Sequence, residues 1–458
     1  MTARVFACAL VATLVSSAAS TRAAPGALTI DHYRLDNGLE VILQPDPGLT
    51  SAVVHVWFHV GSKDEVLGKS GFAHLFEHLM FEGSKHVPEG QFDRLLEAAG
   101  GWNNGTTNND RTNYFEQVPV SMLPLALWLE ADRLAGLWDA MSPAVLTNQR
   151  DVVKNERRQS YENRPYGSAE LLITQALWPR GHGNWNLTIG TIEDLDAASM
   201  ADVEAFWRAY YRPSNATLVV VGGFDVARTK ALIHTLFAWM PTQAVPVRRT
   251  LDAPVVPLAR PITIETTDRV QVPKVIIALR APAAYGPETA ELTIAAQILG
   301  GGKSSRLHRR LVFNDRIATE AYASFGEQML GGELNIAAVA RPGVTAATVR
   351  AAIEDELRGL RTRPPTAAEI ERARRVLEVG MLGVLENPSS RADQLAEWAA
   401  YTGDPDHLDE SRAALAAVTP ESCARVIARW MSLDAAVTAI VLPEGSPTTG
   451  GSGHGGAP

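Results

Sequence analysis

The sequence repeats its own plan after 220 residues. The run "VHVWFHV" at 54–60 has the composition of a β-strand, and "KVIIALR" at 274–280 is a second run of the same kind. A pattern of helix, turn and strand at 202–225 returns at 422–445. Because both pairs are separated by the same offset, the chain is predicted to contain two homologous domains of similar size.

Each predicted domain mixes β-type runs with amphipathic segments of helical period. This mixture favours an α+β fold, in which each domain is a mainly antiparallel sheet with helices packed on it. The first domain is expected to span 25–240 and the second 262–445. Between them, 241–261 is rich in proline and poor in periodicity, as is typical of an extended linker. The Gly- and Ser-rich end, 446–458, is predicted to be a disordered tail.

The first residues have the pattern of a secretory signal peptide. In "MTARVFACALVATLVSSAASTRAAPG", Arg4 precedes an apolar stretch, and small residues follow that stretch. We therefore expect 1–24 to be removed and the mature chain to be exported, to the periplasm or out of the cell. An uncleaved anchor and an amphipathic transit peptide are the alternatives. Removal leaves Cys423 as the only cysteine, so the mature chain cannot form an internal disulfide.

Charge and hydropathy argue against two classes of partner. The formal net charge is −9 and the isoelectric point is near 5.7, whereas a nucleic-acid-binding surface needs a basic patch. Beyond the first residues, no apolar run reaches the roughly 20 residues that a membrane-spanning helix needs. We expect neither nucleic-acid binding nor a stable membrane span in the mature chain.

Two histidines and a glutamate interrupt an apolar run, "GFAHLFEHLMFEGS" at 71–84. On a helix with about 100° per residue, His74, Glu77 and His78 share an arc of about 100°, and apolar residues occupy the far side. An ordinary solvated face is the alternative, although such faces usually carry Lys, Glu, Gln or Ala. Histidines at i and i+4 can offer two nitrogens to one metal ion. The spacing H-x-x-E-H therefore predicts a metal site with Glu77 beside it.

A catalytic zinc site needs a third protein ligand, with water as the fourth. Downstream, Ser142-Pro143 is a helix start, and apolar residues follow it at helical spacing. Glu156 is well placed on this helix to reach inward, and Asp151 and Glu162 are rivals that spacing leaves open. A purely structural zinc site fits poorly, because such sites commonly close with four protein ligands that include Cys.

Together with the downstream run "VVKNERRQSYENRPYG", the H-x-x-E-H motif resembles the pitrilysin–insulysin family of zinc peptidases, the inverzincins. The resemblance covers nearly the whole mature chain. It includes "GGWNNGTTNNDRTNYFEQVP" at 100–119, which resembles the family's substrate strand, and "GGGKSSRLHRRLV" at 300–312. The chain looks like a half-size, two-domain member of bacterial type, similar to the subunits of mitochondrial processing peptidase.

The resemblance implies roles for individual residues. His74, His78 and Glu156 match the ligands of one Zn²⁺ per chain, and Glu77 matches the catalytic base. Family members of this size are built from two similar α+β domains, in agreement with the repeat.

The second predicted domain lacks the metal-binding residues of the first. At the offset of 220, Ile294 and Ile298 replace the two histidines, and Gln297 replaces the glutamate. We therefore expect a metal-free C-terminal domain beside a zinc-binding, catalytic N-terminal domain.

The match also implies residues that serve the substrate and the ligands. Asn104 and Gly105 match positions that contact the substrate backbone. Gln149 stands where the family often has an acidic residue, seven positions before the zinc-binding glutamate. An amide can still accept a hydrogen bond from a histidine N–H, so Gln149 is expected to help orient a zinc-binding histidine.

One expected pair of residues is missing from the second half. Active assemblies of the family supply an Arg and a Tyr, seven residues apart, for the substrate carbonyl and the developing oxyanion. Here the aligned positions hold Val312 and Thr319, with Arg316 and Tyr322 as nearby alternatives. In the family's heterodimers a metal-free partner provides the pair. The resemblance thus implies a homodimer, or a heterodimer with such a partner.

The predicted function is zinc-dependent hydrolysis of peptide bonds in oligopeptides or unfolded polypeptides. An extended substrate is expected to add to the sheet edge near 102–107 through main-chain hydrogen bonds, which gives loose side-chain specificity. The alternative is a structural or assembly subunit with weak or no catalysis. We favour the enzyme because every position of the metal and base set is filled.

Overall fold

The computed structural model describes residues 28–251 and 253–446. The predicted signal peptide, 1–24, lies outside these residues, and so does the predicted tail apart from Ser446. The described part of 241–261 contains neither a helix nor a strand. Within the described ranges, no helix is long and apolar enough to cross a membrane. Cys423 is buried and forms no disulfide.

The N-terminal half alternates strands with helices. Its strands are β1 (Asp31–Arg34), β2 (Glu40–Pro45), β3 (Ser51–Phe58), β4 (Trp102–Thr107), β5 (Thr112–Pro119) and β6 (Ala216–Gly222). Its helices are α1 (Phe72–Leu79), α2 (Gln91–Ala98), α3 (Leu123–Ala140), α4 (Pro143–Arg157), α5 (Ser168–Leu177), α6 (Ile192–Asp196), α7 (Met200–Tyr210) and α8 (Val226–Phe237). A π-helical turn, Arg158–Glu162, continues α4.

The C-terminal half follows the same scheme. Its strands are β7 (Ile262–Asp268), β8 (Lys274–Ala281), β9 (Ala318–Gly326), β10 (Gly332–Ala340) and β11 (Val437–Pro443). Its helices are α9 (Thr289–Gly300), α10 (Ala346–Thr362), α11 (Ala367–Glu386), α12 (Pro388–Thr402), α13 (Leu408–Ala417) and α14 (Pro420–Trp430).

The two sheets share one strand order. The first runs β1-β2-β6-β3-β5-β4 and the second runs β7-β11-β8-β10-β9, so the second sheet repeats the last five strands of the first. One pair in each sheet is parallel, β2 with β6 and β7 with β11, and the other pairs are antiparallel. The predicted α+β fold with two similar, mainly antiparallel sheets is confirmed.

Each half contributes a helix to the sheet of the other half. Helix α5 packs on β7, β8 and β11, where Ile173 joins the core of the second sheet. Helix α12 packs on β3 and β6, where Trp398 joins a core with Trp57. The two helices start 220 residues apart, at Ser168 and Pro388. They are therefore equivalent elements of the repeat, exchanged between the halves.

This exchange covers the first sheet on both faces. Helices α1 and α3 pack on the face opposite to α12. Because helices cover both faces of the central strands, β3 and β6 are buried along nearly their whole length, and their sequences read as continuous apolar runs. Helix α1 lies against β4 and β5, close to the edge of the sheet. The sheet edge and the H-x-x-E-H helix are thus neighbours.

Candidate metal centre

Helix α1 carries the H-x-x-E-H motif, and its apolar side fixes its orientation. Phe72, Leu75, Phe76 and Leu79 are at most 2 % exposed and belong to the core of the first half. Burying such a side chain contributes about 1.5–3 kcal/mol. The predicted apolar face is confirmed, and the polar face of α1 points away from this core.

A buried carboxylate fixes the start of α1. Glu65 accepts hydrogen bonds from the backbone N–H groups of Gly71, at 3.0 Å, and Ala73, at 2.8 Å. Gly71 has φ 88°, and a Cβ there would lie 2.8 Å from the carbonyl oxygen of Ile189. The pKa of Glu65 is raised by burial. These contacts hold the first turn of the helix, from which His74 projects.

Helix α4 brings Glu156 to this motif. Ser142 caps the helix by accepting a hydrogen bond from a backbone N–H, and Pro143 occupies the first turn, as predicted. Gln149 and Val153 are buried on the inward face. Glu156 lies seven and three residues further along, so it projects from the same face of a helix that packs against α1.

Three side-chain atoms from the two helices converge. His74 Nε2 lies 3.6 Å from Glu156 Oε2, and His78 Nε2 lies 3.3 Å from the same oxygen. All three atoms are within 4.8 Å of one another, and in the described part of the chain this is the one His, Cys, Asp or Glu group of that kind. Ligands of a tetrahedral zinc ion lie about 3.3 Å apart, given zinc–ligand distances of about 2.0–2.1 Å. The two distances to Glu156 Oε2, 3.6 and 3.3 Å, are close to that spacing.

The two rival carboxylates point elsewhere. Asp151 is exposed and pairs with Lys154 at 2.8 Å. Glu162 pairs with Arg157 at 3.4 Å. The structure brings Glu156, and neither of its rivals, to the two histidines.

The protonation states of the cluster suit metal binding. Burial, followed by the proximity of His78, lowers the pKa of His74 to about 4, against the opposing effect of the Glu156 carboxylate. A hydrogen bond with His78 lowers the pKa of Glu156. At neutral pH, His74 is a neutral imidazole and Glu156 a carboxylate, which are the forms that ligate metal ions.

Glu77 lies beside the converging atoms and is tied to the sheet edge. Its Oε2 accepts a hydrogen bond from the hydroxyl of Thr107 at 2.6 Å. Burial raises the pKa of Glu77, while the Thr107 hydrogen bond and the proximity of His78 oppose the rise. Gly105, on the same face of β4, backs onto Glu77, because a Cβ at Gly105 would lie 3.2 Å from Glu77 Cγ.

Asn104 and Gly105 lie in the middle of the edge strand β4. They pair with Phe115 and Tyr114 of β5. Asn104 Oδ1 accepts a hydrogen bond from the N–H of Gly105 at 2.9 Å. The opposite side of β4 has no strand partner in the described residues, so its outward N–H and C=O groups can pair with an extended ligand.

Gln149 does not form the hydrogen bond that the sequence predicted. Its Nε2 donates to Glu82 Oε1 at 2.5 Å, and no bond to a histidine ring is present among the described residues. His74 Nδ1 is buried without a hydrogen-bond partner in that part of the chain. The Gln149 amide is turned toward Glu82, and its oxygen, which was expected to accept from a histidine N–H, forms no hydrogen bond with either ring in the described residues.

The second half shows what replaces the motif. Ile294 and Ile298 of α9 are at most 2 % exposed and pack in the second core. Gln297 turns back to the helix end, where its Nε2 donates to the carbonyl of Gly301 at 3.2 Å. No metal-ligating group is present at this position in the described residues, because apolar packing has taken the place of the histidines.

The positions aligned with the missing Arg/Tyr pair and their alternatives lie on β9, in the π-helical segment His308–Asn314, which holds Val312, and in the loop between them. Thr319 Oγ1 donates to the carbonyl of Val339 at 3.3 Å, and Arg316 has φ 55°. Tyr322 projects from β9 into a cavity of about 410 Å³ between the halves. Tyr161, from the turn after α4, lines the same cavity, whereas the converging histidines do not.

Sequence reasoning missed Thr107 and Glu65. Thr107 follows Gly105 by two residues, so strand alternation was a signal that could have placed it facing Glu77. Glu65 precedes the motif by nine residues within a loop, and no periodic pattern marks it as a helix cap.

Comparisons with known proteins identify the family of the chain. Residues 40–183 match the family described as "Insulinase (Peptidase family M16)", and residues 197–377 match "Peptidase M16 inactive domain". The chain belongs to peptidase family M16. This is the family that the motif and its downstream glutamate predicted, and the M16 chain is of the half-size kind.

Similar proteins and solved structures come from Helicobacter pylori and Escherichia coli. The zinc protease PqqE of H. pylori is 28 % identical over 368 residues, which cover 80 % of this chain and 82 % of that protein. A crystal structure of an H. pylori protease has a TM-score of 0.84 at 26 % identity and covers 91 % of this chain and 100 % of that one. The periplasmic protease PqqL of E. coli has a TM-score of 0.75 at 18 % identity, over 91 % of this chain and 48 % of that one.

Proposed function

We propose that this chain is a zinc metalloendopeptidase that hydrolyses peptide bonds in oligopeptides or unfolded polypeptides. The observation that carries the proposal is the convergence of His74 Nε2, His78 Nε2 and Glu156 Oε2 beside the carboxylate of Glu77. Two imidazoles and one carboxylate form a donor set that leaves one position of a tetrahedral zinc ion open, as catalytic sites require.

His74, His78 and Glu156 would hold one Zn²⁺ per chain. Such an ion polarises a carbonyl oxygen and lowers the pKa of water from about 15.7 to about 7. Glu77 accepts a proton from the attacking water at a carboxylate oxygen and then delivers it to the nitrogen of the leaving amine. Proton transfer of this kind contributes about 10²–10⁴-fold to the rate.

Thr107 and Gly105 help Glu77 to act as the base. The Thr107 hydroxyl holds one carboxylate oxygen of Glu77, and the other oxygen is left for proton transfer. Gly105 leaves room for the Glu77 side chain against β4. A peptide strand paired with the outer side of β4 would place its scissile bond beside the carboxylate.

This mode of binding sets the class of substrate. Main-chain hydrogen bonds to β4 read the extended backbone, with Asn104 and Gly105 at the centre of the strand. Folded proteins do not offer an extended segment with free backbone groups, whereas oligopeptides and unfolded polypeptides do. We therefore infer loose side-chain specificity.

A second half-size chain would complete the catalytic chamber. The E. coli periplasmic protease has the fold of this chain in about half its length, which supports pairing of two such units. Val312 and Thr319 stand where the Arg/Tyr pair is expected, so a metal-free relative that supplies this pair is a proposed partner. A second copy of this chain is the alternative, and it would close the chamber without bringing the pair. That protease is described as periplasmic, which also supports our proposal that this chain is exported to the periplasm.

A catalytically inactive assembly subunit is the second candidate. It is favoured by the match of residues 197–377 to an inactive M16 domain. That match does not include His74, Glu77, His78 or Glu156. All four lie within residues 40–183, the range that matches the insulinase description. The description "inactive domain" therefore applies mainly to the second half of the chain and not to the residues of the metal cluster.

The decisive experiment compares the wild-type chain with Glu77→Gln. We expect both proteins to carry about one zinc per chain and only the wild type to cleave an unfolded polypeptide, with the variant at least about 10²-fold slower. Metal analysis and cleavage of a fluorogenic peptide measure the two properties. Turnover by Glu77→Gln at the wild-type rate would show that Glu77 takes no part in the mechanism. A wild-type protein that carries no zinc would show that zinc takes no part in it.

A further inference from the structure

The turn between β4 and β5 is bound to the second half of the chain through Asp110. Asp110 is 4 % exposed. Its Oδ2 accepts hydrogen bonds from the N–H of Met329, at 3.0 Å, and from the hydroxyl of Tyr401, at 2.6 Å. Met329 lies between β9 and β10, and Tyr401 lies in α12. One buried carboxylate therefore joins the tip of the edge hairpin to two separate elements of the other half.

A second contact strengthens this attachment. Asn113, the second residue of β5, donates through Nδ2 to Asp393 Oδ1 at 2.8 Å. Asp393 also belongs to α12. The same hairpin is thus held to the second half at its tip and at the start of its inner strand.

The other side of the turn is bound to the segment that leads into α1. The N–H groups of Ser62 and Lys63 donate to the carbonyls of Asn108 and Asn109, at 3.2 and 2.9 Å. Lys63 Nζ donates to the Asp110 carbonyl at 3.3 Å. The turn is therefore clamped between the approach to the motif helix and the second half.

We propose that Asp110 is a positioning residue for peptide hydrolysis, which fixes the edge strand β4 relative to Glu77 by tying the hairpin to the second half. Asp110 acts through β4, whose Gly105 and Thr107 contact Glu77. The inference rests on the proposed function, because it concerns the strand at which substrate is proposed to bind. A displacement of about 1 Å in such a strand can cost up to about 100-fold in rate.

The test compares three substitutions with one matched control. Asp110→Ala removes both acceptor contacts, Tyr401→Phe removes one donor, and Asp110→Asn keeps an oxygen that can accept both. The control is Tyr166→Phe, because the Tyr166 hydroxyl also joins the halves, donating to the carbonyl of Val272 at 2.9 Å, but does not touch the hairpin.

Two readouts separate positioning from loss of fold. Amide hydrogen exchange of residues 102–107 reports directly on the edge strand and needs no activity. The ratio kcat/KM is measured for a decapeptide, which can pair along β4, and for a tripeptide-length substrate, which cannot. Thermal unfolding and zinc content confirm that each variant is folded and loaded.

We expect exchange of 102–107 to rise in Asp110→Ala and Tyr401→Phe. Decapeptide kcat/KM falls about tenfold in Asp110→Ala and about fivefold in Tyr401→Phe, chiefly through KM, and tripeptide cleavage changes by less than about twofold. Asp110→Asn restores most of the loss, and Tyr166→Phe matches the wild type.

Unchanged exchange and kcat/KM in both Asp110→Ala and Tyr401→Phe, or equal losses in Tyr166→Phe, would overturn the proposal. If Asp110→Ala fails to fold, Tyr401→Phe carries the test by itself. A zinc-loaded wild type that cleaves neither peptide would refute the proposed function, and hydrogen exchange would still decide whether Asp110 anchors β4.

Discussion

Thr107 donates a hydrogen bond to Glu77 Oε2 over 2.6 Å, and this bond joins the edge of the first sheet to the motif helix. Thr107 and Gly105 lie on the face of β4 that meets α1, and Gly105 touches the Glu77 side chain. A peptide paired with β4 and the Glu77 carboxylate that acts on it are thereby held in a fixed position relative to each other. The base is positioned by the same strand that is proposed to receive the substrate.

Gly105→Ala is expected to slow catalysis without loss of zinc. A Cβ at this position would lie 3.2 Å from Glu77 Cγ and 3.1 Å from a ring carbon of Phe81, so the Glu77 side chain must shift by a few tenths of an ångström. We expect kcat to fall about tenfold, because the carboxylate is misplaced relative to the scissile bond.

The measurement is peptide cleavage together with metal analysis. Thr106→Ser is the matched control, since Thr106 projects from the other face of β4 and serine keeps the hydroxyl that donates to Asn113 Oδ1. Equal kcat in Gly105→Ala and the wild type would show that the contact with Glu77 is not needed.

Glu156→Gln is expected to lose most of the bound zinc. The amide oxygen carries no charge and is a weaker ligand than the carboxylate whose Oε2 lies 3.3 Å from His78 Nε2. Asp151→Asn and Glu162→Gln serve as controls, because those carboxylates pair with Lys154 and Arg157 and not with the histidines. Zinc stoichiometry after dialysis distinguishes the three variants. Loss of zinc from Glu162→Gln, with Glu156→Gln loaded, would contradict the assignment.

Ile173→Ala is expected to destabilise the whole chain. Ile173 of α5 is 4 % exposed in the core of the second sheet, and such a truncation costs about 2–5 kcal/mol. Leu172→Ala, one residue away and 40 % exposed, is expected to cost less than about 1 kcal/mol. Urea unfolding followed by tryptophan fluorescence gives both values. Equal costs for the two substitutions would show that α5 does not dock as described.

Glu397→Gln is expected to stabilise the protein at alkaline pH. Burial, reinforced by Asp393 and Glu327, raises the pKa of Glu397 from 4.5 to about 7, against the hydrogen bond from Tyr285. The folded state therefore binds more protons than the unfolded state between these pH values. The contribution of Glu397 to the free energy of unfolding is fully present below pH 4.5 and is lost as the pH rises through 7. The loss amounts to about 3 kcal/mol in all.

The gain in Glu397→Gln should consequently appear above pH 7 and shrink toward pH 5. Urea midpoints at pH 5 and pH 8 measure it. Glu386→Gln, at an exposed position, is the control and should show no such pH dependence. A parallel pH dependence in Glu397→Gln and the wild type would exclude Glu397 as its source.

The sequence predicted the parts of the fold that local periodicity determines. The repeat indicated two similar sheets, because the same pattern of elements returns after 220 residues. The arc shared by His74, Glu77 and His78 indicated the polar face of α1, because it follows from spacing along one element. The helix that carries Glu156 was predicted from its start at Ser142-Pro143. The last two features depend on neighbouring residues alone.

Contacts between distant segments lay beyond the reach of the sequence. Spacing left Asp151 and Glu162 as alternatives to Glu156, since only the packing of α4 on α1 determines which of them meets the histidines. The bond from Gln149 to Glu82 was not foreseen for the same reason: the two residues are 67 positions apart. The exchange of α5 and α12 also depends on how the two sheets face each other.

That exchange constrains how the chain can change. Replacing one repeat with the corresponding part of a relative would also replace the helix that packs on the sheet of the other repeat. A viable hybrid must therefore pack correctly at two separate surfaces at once. The two copies therefore have to change together at these surfaces, even though only one of them has histidines at the motif positions.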